Sequence, residues 1–245
     1  MKRSVVEAHA VGPADDRVPR TIAESTYHRL RQDILWGQFA PGSPLRSDKL
    51  RARYGVGVSP LREALTRLVS ERLVTSVGQR GFRVAPLTAY DVEDTMATRI
   101  VIEGEALKRS IERGDVAWET AVVSAFNALS RHPIPKAPGP STEVWAGYHR
   151  RFHMALLSAC GSRWHMELTV LLFDQAERHR ILRSKFGPQI KLKRDTFREH
   201  KQIFDATLAR DADAAVRALD RHYRVTAEQV ASVLARVPRV VAERD

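Results

Sequence analysis

Apolar residues recur at helical spacing between Thr21 and Trp36, where Ile22, Tyr27, Leu30, Ile34 and Leu35 share a face and Gly37 with Pro41-Gly42 ends the run. A short second helix is expected from Ser47, a residue able to cap it, to Tyr54. The turn Gly55-Val56-Gly57 separates it from a third helix opened by Ser59-Pro60 and running to about Glu71. Ser59 reads as the N-cap and Pro60 as the first helical residue, where no amide donor is required. Leu73 to Val77 and Phe82 to Ala85 then read as short strands joined by Gly78-Gln79-Arg80-Gly81, a compact hairpin. Three helices followed by a hairpin make a winged helix-turn-helix.

Beyond Pro86-Leu87 the strand signals cease. Thr88, with Asp91 three residues on, forms a capping box for a long helix to about Arg113. Further helices are expected from Asp115 to Ser130, Thr142 to Cys160, Arg163 to Lys185, Ile190 to Ala209 and Ala212 to Val237. The proline-rich stretch His132 to Pro140, Gly161, Gly187-Pro188 and Asp211 supply the breaks. Six helices of this length stack as an antiparallel bundle. The expected fold class is therefore mainly α: an N-terminal winged helix-turn-helix (21–87) and a C-terminal all-α helical bundle (88–237). A disordered arm (1–20), polar and without periodicity, precedes them, and a tail (238–245) follows.

The 245 residues are 43% hydrophobic, enough to give each part a core, and no run approaches the roughly 20 apolar residues of a membrane span. The polar start lacks the apolar stretch of a signal peptide, which points to the cytoplasm. The one cysteine, Cys160, excludes an internal disulfide and a Cys-rich zinc motif, and its place in Ala-Cys-Gly reads as small core packing. The net charge of +11 is uneven: residues 1–90 hold 15 Lys/Arg against 8 Asp/Glu. A basic N-terminal module attracts polyanions, nucleic acid first among them.

In the third helix Leu61, Leu65, Leu68 and Val69 form the inward stripe, which turns Ser59, Arg62 and Thr66 outward near the helix N-terminus. That is the face a recognition helix inserts into the major groove, where an arginine donates two hydrogen bonds to a guanine. The alternatives for Arg62 are a local pair with Glu63 or Thr66, or a phosphate contact. Phe39-Ala-Pro-Gly, Leu45, Leu50, Gly55-Val56, Ser59-Pro-Leu-Arg-Glu-Ala-Leu, Arg72-Leu-Val and Gly81-Phe-Arg-Val together resemble the GntR family of bacterial regulators. The helical remainder resembles the FCD effector domain of its FadR subfamily, with phrasing closest to the CsiR-like branch. One departure matters: Gly57-Val58-Ser59-Pro60-Leu61-Arg62 puts Val58 where the family usually has its first recognition arginine. Readout is then expected from Arg62, Ser59, Arg46 and Lys49, and from the wing residues Gln79, Arg80 and Gly81, which the resemblance sets beside the minor groove.

Four of the nine histidines fall on inward stripes of the C-terminal helices. His149 and His153 are one turn apart, His200 lies between Phe197 and Ile203-Phe204, and His222 interrupts the series Ala215, Leu219, Val225, Val233. For one histidine, satisfied core packing is the ordinary explanation; four converging imidazoles ask for another. The resemblance implies a metal held by an Asp-x-x-x-His pair and one histidine from each of the last two helices. His153, His200 and His222 match, while His149 stands where the aspartate is expected. Imidazole nitrogens suit Zn or Ni, and losing a carboxylate leaves the site more positive toward an anion. A metal-free pocket in which protonated His149 and an arginine bind carboxylates is the competing reading. Arg99, four residues before Glu103, and Arg178 are candidate carboxylate clamps; their plain alternatives are a helix ion pair and a solvated basic turn.

These readings converge on a metabolite-responsive repressor. It would bind an inverted-repeat operator as a homodimer and be released by a small carboxylate or dicarboxylate. A metal-dependent hydrolase built on the same histidines is the enzymatic alternative, although no His-Glu-x-x-His pattern appears. A nucleoid protein would account for the basic half but not for polar groups buried in a bundle.

Overall fold

A computed structural model describes residues 21–78, 81–135, 140–190 and 194–236. The expected arm and tail, and the wing residues Gln79 and Arg80, lie outside these described residues. The element order is α1 (Ile22–Leu35), β1 (Pro44–Leu45), α2 (Ser47–Tyr54), α3 (Val58–Ser70), β2 (Val74–Ser76), β3 (Phe82–Val84), α4 (Ala89–Arg113), α5 (Val116–Ser130), α6 (Pro140–Leu157), α7 (Arg163–Ile190), α8 (Thr196–Leu208) and α9 (Ala212–Arg236). The winged helix-turn-helix and the six-helix bundle are both present.

In the N-terminal unit Leu30 of α1, Leu50 of α2, Leu61, Leu65 and Leu68 of α3, and Leu73 meet in one core, each no more than 2% exposed. The hairpin packs on it through Val74 and Val84, which are cross-strand partners. β1, which the sequence reading missed, pairs antiparallel with β3 through Leu45 opposite Phe82 and makes a three-stranded sheet in the order β1-β3-β2. Two residues are too short for a period-2 pattern to register.

The start of α3 corrects the expected cap. The helix begins at Val58 with Gly57 as N-cap and no side-chain cap bond, so Ser59 and Pro60 are its second and third residues. Pro60 still costs nothing there, since the first four amides of a helix have no intrahelical acceptor. α2 likewise starts at Ser47 itself, after Arg46, without a side-chain cap.

The capping box on α4 is formed as read: Thr88 Oγ accepts from the Asp91 amide and the Asp91 carboxylate accepts from the Thr88 amide. The joint between the two parts is packed. Leu87 lies in a small apolar cluster with Val92 of α4 and Val230 and Leu234 of α9. α4 and α9 form the most extensive helix contact in the molecule, and the bundle core gathers around Leu107, Val122, Phe152, Leu156, Ile203 and Tyr223. Cys160 sits in that core, 1% exposed.

Several boundaries differ from expectation, among them the end of α6, at Leu157 rather than Cys160. α6 begins at Pro140, α7 continues through Gly187-Pro188 to Ile190, and α8 starts only at Thr196, capped by Asp195. A proline in a final turn removes one backbone bond and stops nothing upstream.

Candidate functional site

The candidate DNA-facing surface is built by the turn between α2 and α3. Gly55 ends α2 at φ +68°, a left-handed conformation that glycine adopts without a Cβ penalty, and this directs the chain into α3. With Leu61, Ala64, Leu65 and Leu68 turned inward, Ser59, Arg62, Glu63 and Thr66 line an open groove on the outer face. Arg62 is exposed, and no ion pair holds it among the described residues. The Thr66 hydroxyl donates to the Arg62 backbone carbonyl at 2.9 Å, not to its guanidinium. Arg46, at the N-cap of α2, and Lys49, on α2, are exposed, and Val58, the first residue of α3, is 59% exposed. Arg67 shares the groove but is occupied, its guanidinium lying 3.8 Å from the centre of the Tyr27 ring. Gly81, at φ +87°, closes the wing turn.

The second candidate site lies inside the bundle. α6 brings His149 and His153 to one face, α8 brings His200 and α9 brings His222; all four are buried, and one ring nitrogen from each lies within 4.8 Å of the others. Nε2 of His153 and Nε2 of His200 are 3.4 Å apart. Burial and the neighbouring imidazoles hold His149, His153 and His200 well below the ordinary histidine range, and burial brings His222 to about 4. Four imidazoles favoured in their neutral form therefore bring one ring nitrogen each to a common space.

Their outer partners fix which nitrogen faces inward. Glu199 is held at about 2: burial opposes its charge, but hydrogen bonds from Arg194 and His222 outweigh that. Its carboxylate accepts from His222 Nδ1 at 2.8 Å, leaving Nε2 of His222 free of a proton. The Tyr223 hydroxyl donates to Glu103 and accepts from His153 Nδ1 at 3.2 Å, so His153 Nε2 also turns a lone pair inward. His149 stacks on Trp145 with ring centres 4.7 Å apart, and its Nδ1 is buried with no hydrogen-bond partner. A buried histidine nitrogen without a partner, on a ring that belongs to a cluster of four converging imidazoles, fits a divalent cation with nitrogen preference.

Beside the histidines is a cavity with room of about 30 Å³, enough for a water molecule or an ion. Arg99, Arg180 and Arg194 border it, each tied to a carboxylate: Arg99 to Glu103 at 2.6 Å, Arg180 to Glu177 and Arg194 to Glu199. Arg99 borders the cavity, but it makes the helix ion pair with Glu103 that was the plain alternative to a clamp, and the pair is buried. Arg178 is not among the lining residues. It is buried against the inter-domain linker, donating to the carbonyl of Ala85 and to Gln175, and burial lowers it to about 10. Along α7 the lining residues are Phe173, Ala176, Glu177 and Arg180, and Arg178 falls on the other side. Sequence reasoning missed Arg180 and Arg194. Arg180 stands at the seventh position after Phe173, a spacing that could have revealed it.

Two family models match the chain. Residues 22–84 match the bacterial regulatory proteins of the gntR family, and residues 94–225 match the FCD domain. Among characterised and uncharacterised relatives, the chain is 39% identical to an HTH-type transcriptional regulator, BphR, of Paraburkholderia xenovorans, over 83% of this chain and 82% of that one. It is 34% identical to the HTH-type transcriptional repressor GlaR of Escherichia coli, over 80% of this chain and 90% of the other. A solved structure of a transcriptional regulator from Rhodococcus sp. RHA1 superimposes with a TM-score of 0.67 at 22% identity, covering 86% of this chain and 97% of that one, a likeness of fold.

Proposed function

The chain belongs to the GntR family of transcriptional regulators, with an FCD domain as its C-terminal part, and from that premise we propose a metabolite-responsive repressor whose operator binding is released by a small carboxylate. In this reading the reader is residues 21–87 and the sensor residues 88–237. The protein acts as a homodimer on an inverted repeat in the cytoplasm, because two recognition helices related by a two-fold require two half-sites. Arg62 contacts base edges, Ser59 and Thr66 flank it, and Arg46, Lys49 and the wing, Gln79, Arg80 and Gly81, add phosphate and minor-groove contacts. Val58 removes one contact that relatives with an arginine there would make, so this operator differs from theirs. The CsiR-like branch is our reading of the Leu61–Leu65 phrasing together with Glu71-Arg-Leu-Val-Thr.

The observation that carries the sensor assignment is the buried four-histidine cluster with its partnerless His149 Nδ1, bordered by three arginines. His149, His153, His200 and His222 would hold a Zn or Ni ion. Such an ion, when bound, would supply positive charge and Lewis acidity toward a carboxylate oxygen. Glu199 and Tyr223 orient the imidazoles, Trp145 and Phe173 exclude water, and Arg99, Arg180 and Arg194 provide cationic charge for an anionic effector. A hydrolase on this site would need a free carboxylate as base. Glu103, Glu177 and Glu199 are each already paired with an arginine, which speaks against it.

Thermal unfolding against a panel of mono- and dicarboxylates, with and without EDTA, tests this reading. It expects stabilisation by Zn²⁺ or Ni²⁺, a further metal-dependent stabilisation by one carboxylate class, and loss of both in His153→Ala. Carboxylate stabilisation that survives both EDTA and His153→Ala would overturn it.

A further inference from the structure

Helix α7 touches both functional regions with different faces. Phe173, Ala176, Glu177 and Arg180, spaced i, i+3, i+4 and i+7, line the cavity. The intervening residues hold the DNA-reading unit. Asp174 accepts from Arg31 of α1, the Gln175 amide donates to the Glu71 carbonyl at the end of α3 at 2.9 Å, and Arg178 donates to the Ala85 carbonyl at the end of the sheet. Asp174 is buried and faces both ways, since its other oxygen accepts from Arg150 at 2.6 Å, and Arg150 follows His149 on α6. The Arg150 guanidinium lies 5.0 Å from the centre of the Phe173 ring, which also packs on His149 and His153. On the reader side, Arg31 is held by Glu71 at 2.9 Å, and Glu71 also accepts from Tyr27. A continuous polar chain thus runs from His149's neighbour to the base of the recognition helix.

The cavity admits little more than an ion, so a carboxylate of several atoms enters only if lining residues give way. α7 supplies four of them. Packed helices move as units, so displacement on the cavity face is displacement on the reader face. We propose that α7 is the lever between effector and operator, and that Asp174, bridging Arg31 and Arg150, is its joint. This rests on the reading of the cavity as the effector site and adds the route by which occupancy reaches the recognition helix. Asp174 is a positioning residue: it touches neither effector nor DNA. Coupling through it is reciprocal, so seating the reader on operator disfavours the occupied cavity by the same factor.

The test uses the full chain and a cavity-filling substitution in place of an unidentified ligand. Amide hydrogen exchange is measured across Ile22–Leu35 in the parent, Ala176→Leu, Asp174→Asn and the double variant. Ala125→Leu, in the bundle core on α5, is the control for general overpacking. Ala176→Leu, which pushes from the cavity face, is expected to speed exchange in α1, and Asp174→Asn to do the same. The double variant should exceed neither by more than measurement error, because both act through one joint. Ala125→Leu should leave α1 unchanged. Asp174→Asn leaves Arg31 paired with Glu71 and Arg150 free to reach water, so the fold survives; should Ala176→Leu not fold, Ala176→Val applies the same push more gently. Additive effects, or an α1 indifferent to Ala176→Leu, would overturn the proposal. Zn²⁺ stoichiometry measured on the same samples tests the metal separately: a protein that binds none removes the ion from the sensor reading and leaves the α7 joint to be decided by the exchange data.

Discussion

In the proposed function, Arg62 and His153 stand for the two jobs at the scale of single side chains. Arg62 is exposed, unpaired among the described residues, and set on the outer face of α3, so Arg62→Ala should weaken operator binding roughly 10- to 100-fold and relax base preference at one position. Arg217→Ala, an exposed change on α9, is the control, and equal losses at both positions in a gel shift would refute the assignment. The buried pair beside the cavity makes a stability prediction. Glu103 is 0% exposed and anchors both Arg99 and Tyr223. Glu103→Gln leaves a buried guanidinium without its counter-charge and should cost about 3–5 kcal/mol, read as a lower denaturation midpoint at unchanged slope. The histidine convergence was legible in the sequence because each imidazole interrupts an apolar helical stripe. The orphaned Nδ1 of His149 was not, since a missing partner exists only in three dimensions.

Most elements fold as their patterns dictate, and where the reading of α7 failed the reason is one of phase. In Glu177-Arg178-His179-Arg180 four polar residues follow one another, and composition alone does not say which faces inward. Phe173 sets the phase: Glu177 and Arg180 come round to the cavity, and Arg178 to the linker. The cap of α4 was readable because it is a local exchange of hydrogen bonds; Thr88→Ala should cost about 1 kcal/mol of stability by chemical denaturation. The corner between α4 and α5 makes a stronger demand. A Cβ on Gly114 would stand 2.1 Å from Trp118 Cε3, and that indole is pinned by donating to the Ala155 carbonyl at 2.9 Å. Gly114→Ala should therefore lower the melting temperature by several degrees, on the order of 1–3 kcal/mol, without changing operator preference. A melting temperature at the parent value would show that the corner yields more readily than its packing implies.

For the whole molecule, the division into a winged helix-turn-helix and a helical bundle was legible because the chain switches from mixed helix and strand signals to helices alone at Thr88. The arrangement of the two parts was not, since the contacts that join them, Arg31 with Asp174 and Gln175 with Glu71, pair residues more than a hundred positions apart. Under the proposed function, one chain carries two separable activities linked through its fold. Fluorescence anisotropy of a labelled operator duplex, titrated with the parent chain, Arg62→Ala and His153→Ala in the presence and absence of the metal and the carboxylate that stabilise the parent, tests it most directly. The account predicts that the parent releases DNA when the carboxylate is added, that Arg62→Ala binds DNA poorly yet still binds the carboxylate, and that His153→Ala binds DNA almost normally and no longer responds. A folded His153→Ala protein that has lost operator binding while keeping carboxylate binding would contradict it and make the histidines scaffold.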